Sequence, residues 1–427
     1  MKISLHAKML LGIAIGIIGG IGSFFFFGEH AYLNTFIRCF TQPIGQIFIR
    51  LLFMLVIPLI FSALALGVAG LGDLRHLGRI GLKTLVYTVA MSAIAVLLGV
   101  FLVATLTPGS GISDDMKARL LAGAAERSAG LPSTTTAPKT GIDLFIQIIP
   151  DNPIRAAANG DMLAVMFFSL MVGIGLALSQ ADKVTRFREF LEGLYEATMR
   201  LITLVISFAP IGVAALLFTL TAQLGYEILW QLARYVFCVL LALSIHQFIV
   251  YSLAVRFLGN MKPSLFFRGI MDAVVTAFST ASSNATLPTS LKVAEENLHL
   301  PTHISRFVLT IGSTLNQNGT ALFEGVTVLF LAQFYDIPLT IAQQVMVVSI
   351  CILGGIGTAG IPAGSIPVVA MILGLVGIPI EGIGIILGVD RFLDMCRTVL
   401  NVTGDLATAV VVSRGEKPCR SNGNHHD

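Results

Sequence analysis

Residues 389–405 run Val389-Asp390-Arg391-Phe392-Leu393-Asp394-Met395-Cys396-Arg397-Thr398-Val399-Leu400-Asn401-Val402-Thr403-Gly404-Asp405 inside an otherwise apolar stretch. At about 100° per helical residue, Asp390, Asp394, Arg397, Asn401 and Asp405 share roughly 80° of arc. Each charge in a membrane helix costs on the order of 2.5–3.5 kcal/mol on insertion scales, so such a stripe faces protein or a wet cavity. A fold for this chain must therefore give one helix a polar partner deep among apolar ones. The stripe is either half of a binding site for something polar or an interhelical salt-bridge seam. Its mixture of both charge signs with amides favours the binding site.

The surrounding chain is built for lipid. Hydrophobic residues make up 55% of it and charged residues 12%, with a mean hydropathy of +0.85. That is far from soluble composition. A net charge of +3 with dispersed basic residues implies no nucleic-acid partner. Cys39, Cys238, Cys351, Cys396 and Cys419 show no paired or metal-ligand spacing, as expected of reduced packing cysteines. Apolar runs near 8–28, 37–70, 82–107, 142–180, 192–222 and 226–256 predict helices, some long enough to demand tilt or a break. The run after Lys8 has no small-residue cleavage site, so a retained first helix is expected.

Basic residues orient these helices. Arg75, Arg79 and Lys83 precede the third, Lys183, Arg186 and Arg188 the fifth, and Arg256, Lys262 and Arg268 follow the sixth. The connection 28–34 has no Lys or Arg, so the positive-inside rule puts both termini in the cytoplasm. The Ser-, Thr-, Gly- and Pro-rich segment 108–141 is expected to be an extracytoplasmic excursion.

After residue 262 the pattern changes. Residues 263–298 place apolar arms around Ser279-Thr280-Ala281-Ser282-Ser283-Asn284-Ala285-Thr286, and residues 340–378 around the Gly- and Pro-rich 354–365. The arms are short for a crossing, which predicts two re-entrant hairpins with tips in protein or a wet cavity; a Gly-rich helix-packing surface is the alternative for the second. Each hairpin precedes a Leu-Asn-x-x-Gly tetrad, at Leu315–Gly319 and Leu400–Gly404, the pattern of an inverted repeat with a midplane site. Asn316-Gln317-Asn318-Gly319 favours a helix break with free carbonyls, which together with a carboxylate suit a hard cation. Hairpin tips offer helix N-termini to an anion.

These motifs, with Ile148-Ile149-Pro150-Asp151-Asn152-Pro153, Ala158-Asn159-Gly160, Thr286-Leu287-Pro288, Gly357-Thr358-Ala359-Gly360-Ile361-Pro362 and Asp394-Met395-Cys396-Arg397-Thr398, occur in one order along nearly the whole chain. In that order the sequence resembles the glutamate/aspartate and neutral amino-acid transporter family, which includes archaeal aspartate transporters and animal excitatory amino-acid transporters. The resemblance implies an all-α membrane protein with eight transmembrane helices and two re-entrant hairpins in inverted repeats, a homotrimer in membrane lipid working as an elevator. It divides the chain into scaffold helices 1–2 (1–74), the third, transport-domain helix and extracytoplasmic loop (75–141), scaffold helices 4–5 (142–225), the sixth, transport-domain helix (226–262), a transport core of hairpin 1, helix 7, hairpin 2 and helix 8 (263–415), and a cytoplasmic tail (416–427). It implies a bacterial or archaeal plasma membrane.

The resemblance also implies roles. Asp394 takes the substrate amine and Arg397 its side-chain carboxylate, whereas Asn401 and the backbone at Ser283 hold the α-carboxylate. Ser282, Thr320, Ile361, Ser365 and Thr398 complete the substrate set. Arg397 favours acidic over neutral amino acids, and Asp394 favours an amino acid over a plain dicarboxylate; an Arg397–Asp394 structural pair is the alternative. One Na⁺ site maps to Gly312, Asn316, Asn401 and Asp405. A second maps to Thr314, Gly355, Ile356 and Thr358 under the second hairpin. The third loses its carboxylate to Asn318 and its threonine to Met91, with only Ser92 kept; Gln317 replaces a methionine between the first two. Ala281 and Met395 stand where branches of the family carry an arginine; Arg391, one turn earlier on the last helix, is the candidate substitute, although it lies off the stripe. Glu324 matches a proton-carrying glutamate, with a helix-end or interhelical hydrogen-bonding role as the alternative.

The expected activity is an Na⁺-coupled, H⁺-assisted symporter of aspartate or glutamate, with fewer than three Na⁺. Proton coupling alone and transport of neutral amino acids or dicarboxylates are the alternatives. An anion channel is a further one, though no repeated filter or charged ring is present. Asp394 and Asp405 lack a nucleophile–base pair or metal-ligand histidines, so no enzyme is expected.

Overall fold

The computed structural model describes residues 5–27, 30–70, 79–111, 149–158, 162–225, 227–357 and 365–415. The second-hairpin tip with Thr358 and Ile361, most of the extracytoplasmic segment, Arg75, Asn159-Gly160 and the tail 416–427 lie outside them. Among the described residues every regular element is helical.

The first two apolar runs give α1 (Leu5–Phe27) and a broken succession, α2 (Ala31–Phe36), a π turn over Ile37–Thr41, α3 (Gln42–Phe53) and α4 (Val56–Gly70). The single run expected over 37–70 is thus interrupted at Met54-Leu55. α5 (Arg79–Leu106) matches the third run, and α6 (Pro153–Ala158) and α7 (Met162–Leu178) divide the fourth. α8 (Ala181–Leu224) carries Pro210, which has no N–H for the carbonyl of residue 206. Its halves, Asp182–Val205 and Ser207–Gln223, meet there at 50°. α9 (Glu227–Ile245) continues through π turns over His246–Val250 and Ala254–Leu258.

α5 and the rod Leu229–Leu258 are long and apolar enough to cross a membrane, and the bent α8 adds a third span if its halves are one crossing. Leu11–Phe27, Ile57–Leu66, Ala164–Leu178 and Ile341–Gly355 are shorter apolar helices.

The first hairpin pairs α10 (Pro263–Gly269) and α11 (Met271–Thr280) with α12 (Ser283–Lys292). Its turn is made by Ala281 in the left-handed region at φ +48° and extended Ser282. An alanine there carries a steric penalty that a glycine would not. The Ser282 hydroxyl caps α12, accepting from the Ala285 N–H at 3.2 Å. Next come α13 (Thr302–Leu315) and α14 (Asn318–Phe334), then α15 (Ile341–Gly357) and α16 (Ser365–Val376), and finally α17 (Ile383–Ser413).

Packing sorts these helices into two neighbourhoods. α8 lies along α1, α3 and α4, and α7 lies on α4. At the α1 seam a Cβ on Gly16 would stand 2.6 Å from the Ala214 carbonyl oxygen, so glycine lets the two backbones meet. The other neighbourhood gathers α5, α9 and both hairpins around α13, α14 and α17. Every residue of α14 from Asn318 to Ala332 is buried, which makes this pair of tetrad-bearing helices the centre of the molecule.

Candidate functional site

The first tetrad breaks its helix as expected. α13 ends at Leu315, Asn316 and Gln317 take non-helical angles (φ −105°, ψ 65° and φ −99°, ψ 55°), and α14 starts at Asn318. The second tetrad does not break. Asn401–Gly404 sits inside continuous α17, because Val402 and Thr403 replace the consecutive amides that compete with the backbone in Gln317-Asn318.

Each tetrad's asparagine bonds the other unit. Asn316 Nδ2 donates to Asp405 Oδ1 at 3.0 Å and to Thr408 Oγ1 at 3.4 Å. Asn401 Oδ1 accepts from the Gly319 N–H at 2.7 Å, and its Nδ2 donates to Gln317 Oε1 and to Thr320 Oγ1, the latter at 3.2 Å. Close approach makes this possible: a Cβ on Gly319 would lie 2.5 Å from the Arg397 carbonyl oxygen. Gln317, the departure between the cation sites, is absorbed structurally, because its Nε2 donates to the Ser313 carbonyl at 2.8 Å.

On the stripe, Arg397 is 1% exposed. Its Nη1 donates to Asp390 Oδ1 at 2.9 Å and its Nε to Asp394 Oδ1 at 3.0 Å. Nη2 lies 2.9 Å from the same Asp394 oxygen but its N–H groups make no hydrogen bond of good geometry. The guanidinium rests 4.2 Å above the Phe323 ring, a cation–π contact that fixes its plane. Removing either acid from such a buried assembly would leave an uncompensated charge. Thr398 turns inward and donates to the Asp394 carbonyl at 2.8 Å.

Two members of this cluster were not assigned from sequence. Asp390 was on the stripe without a role, although its seven-residue spacing from Arg397 places both on one face. Arg391 is expected from sequence only as a substitute for the missing family arginine, off the stripe. Its backbone is, but the long side chain crosses back and brings Nη1 to 3.5 Å from Asp394 Oδ2.

The first expected cation position is drawn together. Gly312 abuts Asp405, since a Cβ there would lie 2.6 Å from Oδ1. Asp405 and Asn316 are buried, and Asn316 Oδ1 has no hydrogen-bond partner. At the second, the Gly355 carbonyl accepts from the Gln317 N–H at 3.3 Å, which seats the second hairpin on the helix break. Thr314 lies half-buried in the last turn of α13 and Ile356 lies in the last turn of α15. At the third, a neutral chain fills the place: Ser92 Oγ donates to Asn318 Oδ1 at 2.6 Å, Asn318 Nδ2 to the Tyr251 hydroxyl at 2.9 Å, and that hydroxyl to the Leu400 carbonyl at 3.3 Å. Tyr251 had no signal in the sequence beyond being a hydroxyl in an apolar run.

Ser283 and Ser365, the first residues of α12 and α16, each bury a hydroxyl that has no partner. Glu324 is wholly buried with both carboxyl oxygens unbonded, and the nearer would stand 2.9 Å from a Cβ on Gly354. The helix-end alternative for Glu324 fails, because it lies inside α14.

The model of the sodium:dicarboxylate symporter family matches residues 5–415, nearly the whole chain. The chain belongs to that family. Over 97% of its length it is 33% identical to the proton/glutamate-aspartate symporter of Escherichia coli, covering 93% of that protein. It is 34% identical to the proton/sodium-glutamate symport protein of Geobacillus stearothermophilus, over 97% of this chain and 95% of that one. Excitatory amino acid transporter 1 of Ambystoma tigrinum is 30% identical over 92% of this chain and 80% of its own. Sodium:dicarboxylate symporters are membrane transporters, not enzymes, and the expectation of a symporter from motif order is met at the level of the family.

Proposed function

We infer that this protein is a secondary active symporter for aspartate or glutamate. The observation that carries the reading is Arg397: a fully buried guanidinium, held flat on Phe323, with Nη2 still lacking a well-directed acceptor. A planar fork of this kind suits a carboxylate. Asp394 would take the amine, and Asn401, Thr320, Thr398, Ser282, Ser283, Ile361 and Ser365 would surround the remaining carboxylate. The unpartnered Ser283 and Ser365 hydroxyls at two helix starts support this placement.

Charge balance supports coupling to two cations. Asp390, Asp394, Arg391 and Arg397 form a cluster with two charges of each sign. An acidic amino acid adds one net negative charge and Asp405 another. A buried site must compensate both. Two Na⁺ would do so, one on Gly312, Asn316, Asn401 and Asp405 and one on Thr314, Gly355, Ile356 and Thr358. Asn318 contributes no charge and so calls for no third ion. Glu324 would add a proton. Relatives named as proton and as proton/sodium symporters leave room for either ion.

The mechanism that fits is an elevator in a homotrimer with eight crossings and two re-entrant hairpins. The helices around α8 would be the scaffold and those around α14 and α17 the moving part, with both termini cytoplasmic and the second hairpin as the outer lid. The test is uptake of labelled aspartate into proteoliposomes with Na⁺ and pH gradients imposed separately. Accumulation should require inward Na⁺ and rise with an inward proton gradient. Full accumulation with Na⁺ absent would overturn both Na⁺ assignments, and failure to accumulate label under any gradient would overturn symport.

A further inference from the structure

The first half of α8 sorts its charges by face. At about 100° per helical residue, Lys183, Arg186, Phe187, Phe190, Leu201 and Leu204 share roughly 100° of arc. The four apolar members form an exposed ridge, Phe190 at 59% and Leu204 at 57%, and Lys183 and Arg186 are exposed beside it. The rings of Phe187 and Phe190 stack, with centroids 6.4 Å apart and planes at 17°. Glu189, Glu192 and Glu196 lie elsewhere on the helix, about 110–170° from the middle of the ridge.

Ion pairing follows the same division. Arg188 Nε lies 3.3 Å from Glu192 Oε1, and Arg200 Nη2 lies 3.8 Å from Glu196 Oε1. Lys183 and Arg186 enter no ion pair among the described residues, although Asp182 stands one turn before Arg186. α1 leaves this end of α8 open. Its Gly12, Gly16 and Gly20 abut Pro210, Ala214 and Thr221 in parallel register, which brings Leu5 level with about residue 203.

The residues Asp182–Val205 are one half of a candidate membrane span in a family of membrane transporters, so the ridge faces lipid tails. Its two free cations stand at the end of that half, where long basic side chains lay their stems on apolar surface and reach for headgroups. We propose that Lys183 and Arg186, flanking the stacked Phe187 and Phe190, bind the phosphate of an anionic phospholipid whose acyl chains run along Leu201 and Leu204. Arg188 and Arg200 are already neutralised by their glutamates and take no part. The site depends on the membrane location of α8 and is independent of the substrate carried.

The test is mass spectrometry of the intact, purified full chain titrated with phosphatidylglycerol or with phosphatidylcholine of the same acyl chains. The wild type should retain phosphatidylglycerol in preference. Lys183→Gln and Arg186→Gln should each lower that preference about fivefold, and the pair of changes about twentyfold, the scale of one basic side chain at an anionic surface. Arg188→Gln with Arg200→Gln removes the same net charge from paired positions and should change it less than about twofold. Phe187→Ser with Phe190→Ser should weaken both lipids together. Equal losses in the two arginine- and lysine-directed pairs would reduce the effect to net charge and overturn the proposal. So would a wild type without preference, as expected if a second copy of the chain covers the ridge. Displacement of the lipid by excess inorganic phosphate would make this a free-anion site and overturn it as well.

Discussion

The two polar regions of the core, one on each side of the Asn316-Gln317 break, are solved in opposite ways. Toward α17, the ionisable side chains of Asp390, Asp394, Arg397 and Asp405 are held by charged or amide partners. Toward α5 and α9, Asn318, Ser92 and Tyr251 make a chain of neutral hydrogen bonds that ends on a backbone carbonyl. Both regions are equally buried, so burial does not separate them. The difference is satisfaction. Each member of the Ser92–Asn318–Tyr251 chain has a partner, although Tyr87 and His246 beside it leave polar atoms unbonded, whereas the charged region leaves Asn316 Oδ1 and the Arg397 Nη2 donors themselves open. Open polar atoms in a buried place are costly unless something else completes them. On the proposed reading the charged side takes the cargo and the Ser92–Asn318–Tyr251 chain is structural.

The largest expected effect removes the cation from the charged side. Arg397→Cys leaves Asp390 and Asp394 without their common partner, and loss of one member of a buried ionic assembly costs about 3–5 kcal/mol. Aspartate and glutamate binding should fall on the order of a hundredfold or more, with serine or a similar neutral amino acid gaining affinity. Unchanged aspartate affinity in a binding assay would reduce the cluster to a helix-packing seam.

Next comes an exchange that makes the first region resemble the second. Asp405→Asn keeps the shape and the Asn316 contact but removes the charge that would balance a hard cation. The Na⁺ concentration for half-maximal aspartate binding should rise at least about tenfold. No change in a Na⁺ titration would detach Asp405 from coupling.

The reverse exchange follows. Asn318→Asp places a carboxylate among Ser92, Tyr251 and Met91. Ser92 and Tyr251 can both donate to it, but Met91 offers no hard oxygen. The variant should lose about 1–3 kcal/mol of stability without Na⁺, the range for an ill-satisfied buried polar group, and recover part of it as Na⁺ is added. Adding Met91→Thr should strengthen that recovery and raise the charge moved per substrate in proteoliposomes. A stability that ignores Na⁺ in both variants would show that the neutral chain does not occupy a former ion position.

Glu324 fits neither solution, being an acid with no bond on either oxygen. Replacing it with glutamine keeps its size and removes its proton exchange. The pH dependence of uptake should flatten while the Na⁺ dependence stays. Loss of all uptake at every pH would instead make Glu324 a binding residue.

Much of this contrast was legible before the fold. The stripe on α17 follows from helical periodicity, and the break after Leu315 follows from three consecutive amides before a glycine. The short helices on either side of both polar tips follow from apolar runs too short to cross. What sequence could not supply depends on side-chain reach and on which helices meet. Arg391 was placed by its backbone angle, yet its guanidinium travels far enough to touch the stripe. Asn318 stands out in the sequence as an amide where the family resemblance implies a carboxylate, but its hydrogen bond to Tyr251 depends on α9 lying against α14, which no local pattern encodes. The continuity of α17 through the second tetrad was hidden by its likeness to the first.

The smallest effect tests how finished the neutral side is. Tyr251→Phe deletes one hydroxyl that links Asn318 to the Leu400 carbonyl. If the chain is only structure, the loss is that of ordinary hydrogen bonds, about 0.5–1.5 kcal/mol each, and thermal stability should drop modestly. Aspartate affinity and the number of Na⁺ per substrate should stay as they were. The hydroxyl also lies close above Gly404, where a Cβ would stand 2.4 Å from it, one residue from Asp405. A change in Na⁺ affinity with little change in stability would therefore mean that the two regions communicate through this contact, and the line drawn between the charged and neutral regions at the helix break would have to move to the far side of Tyr251.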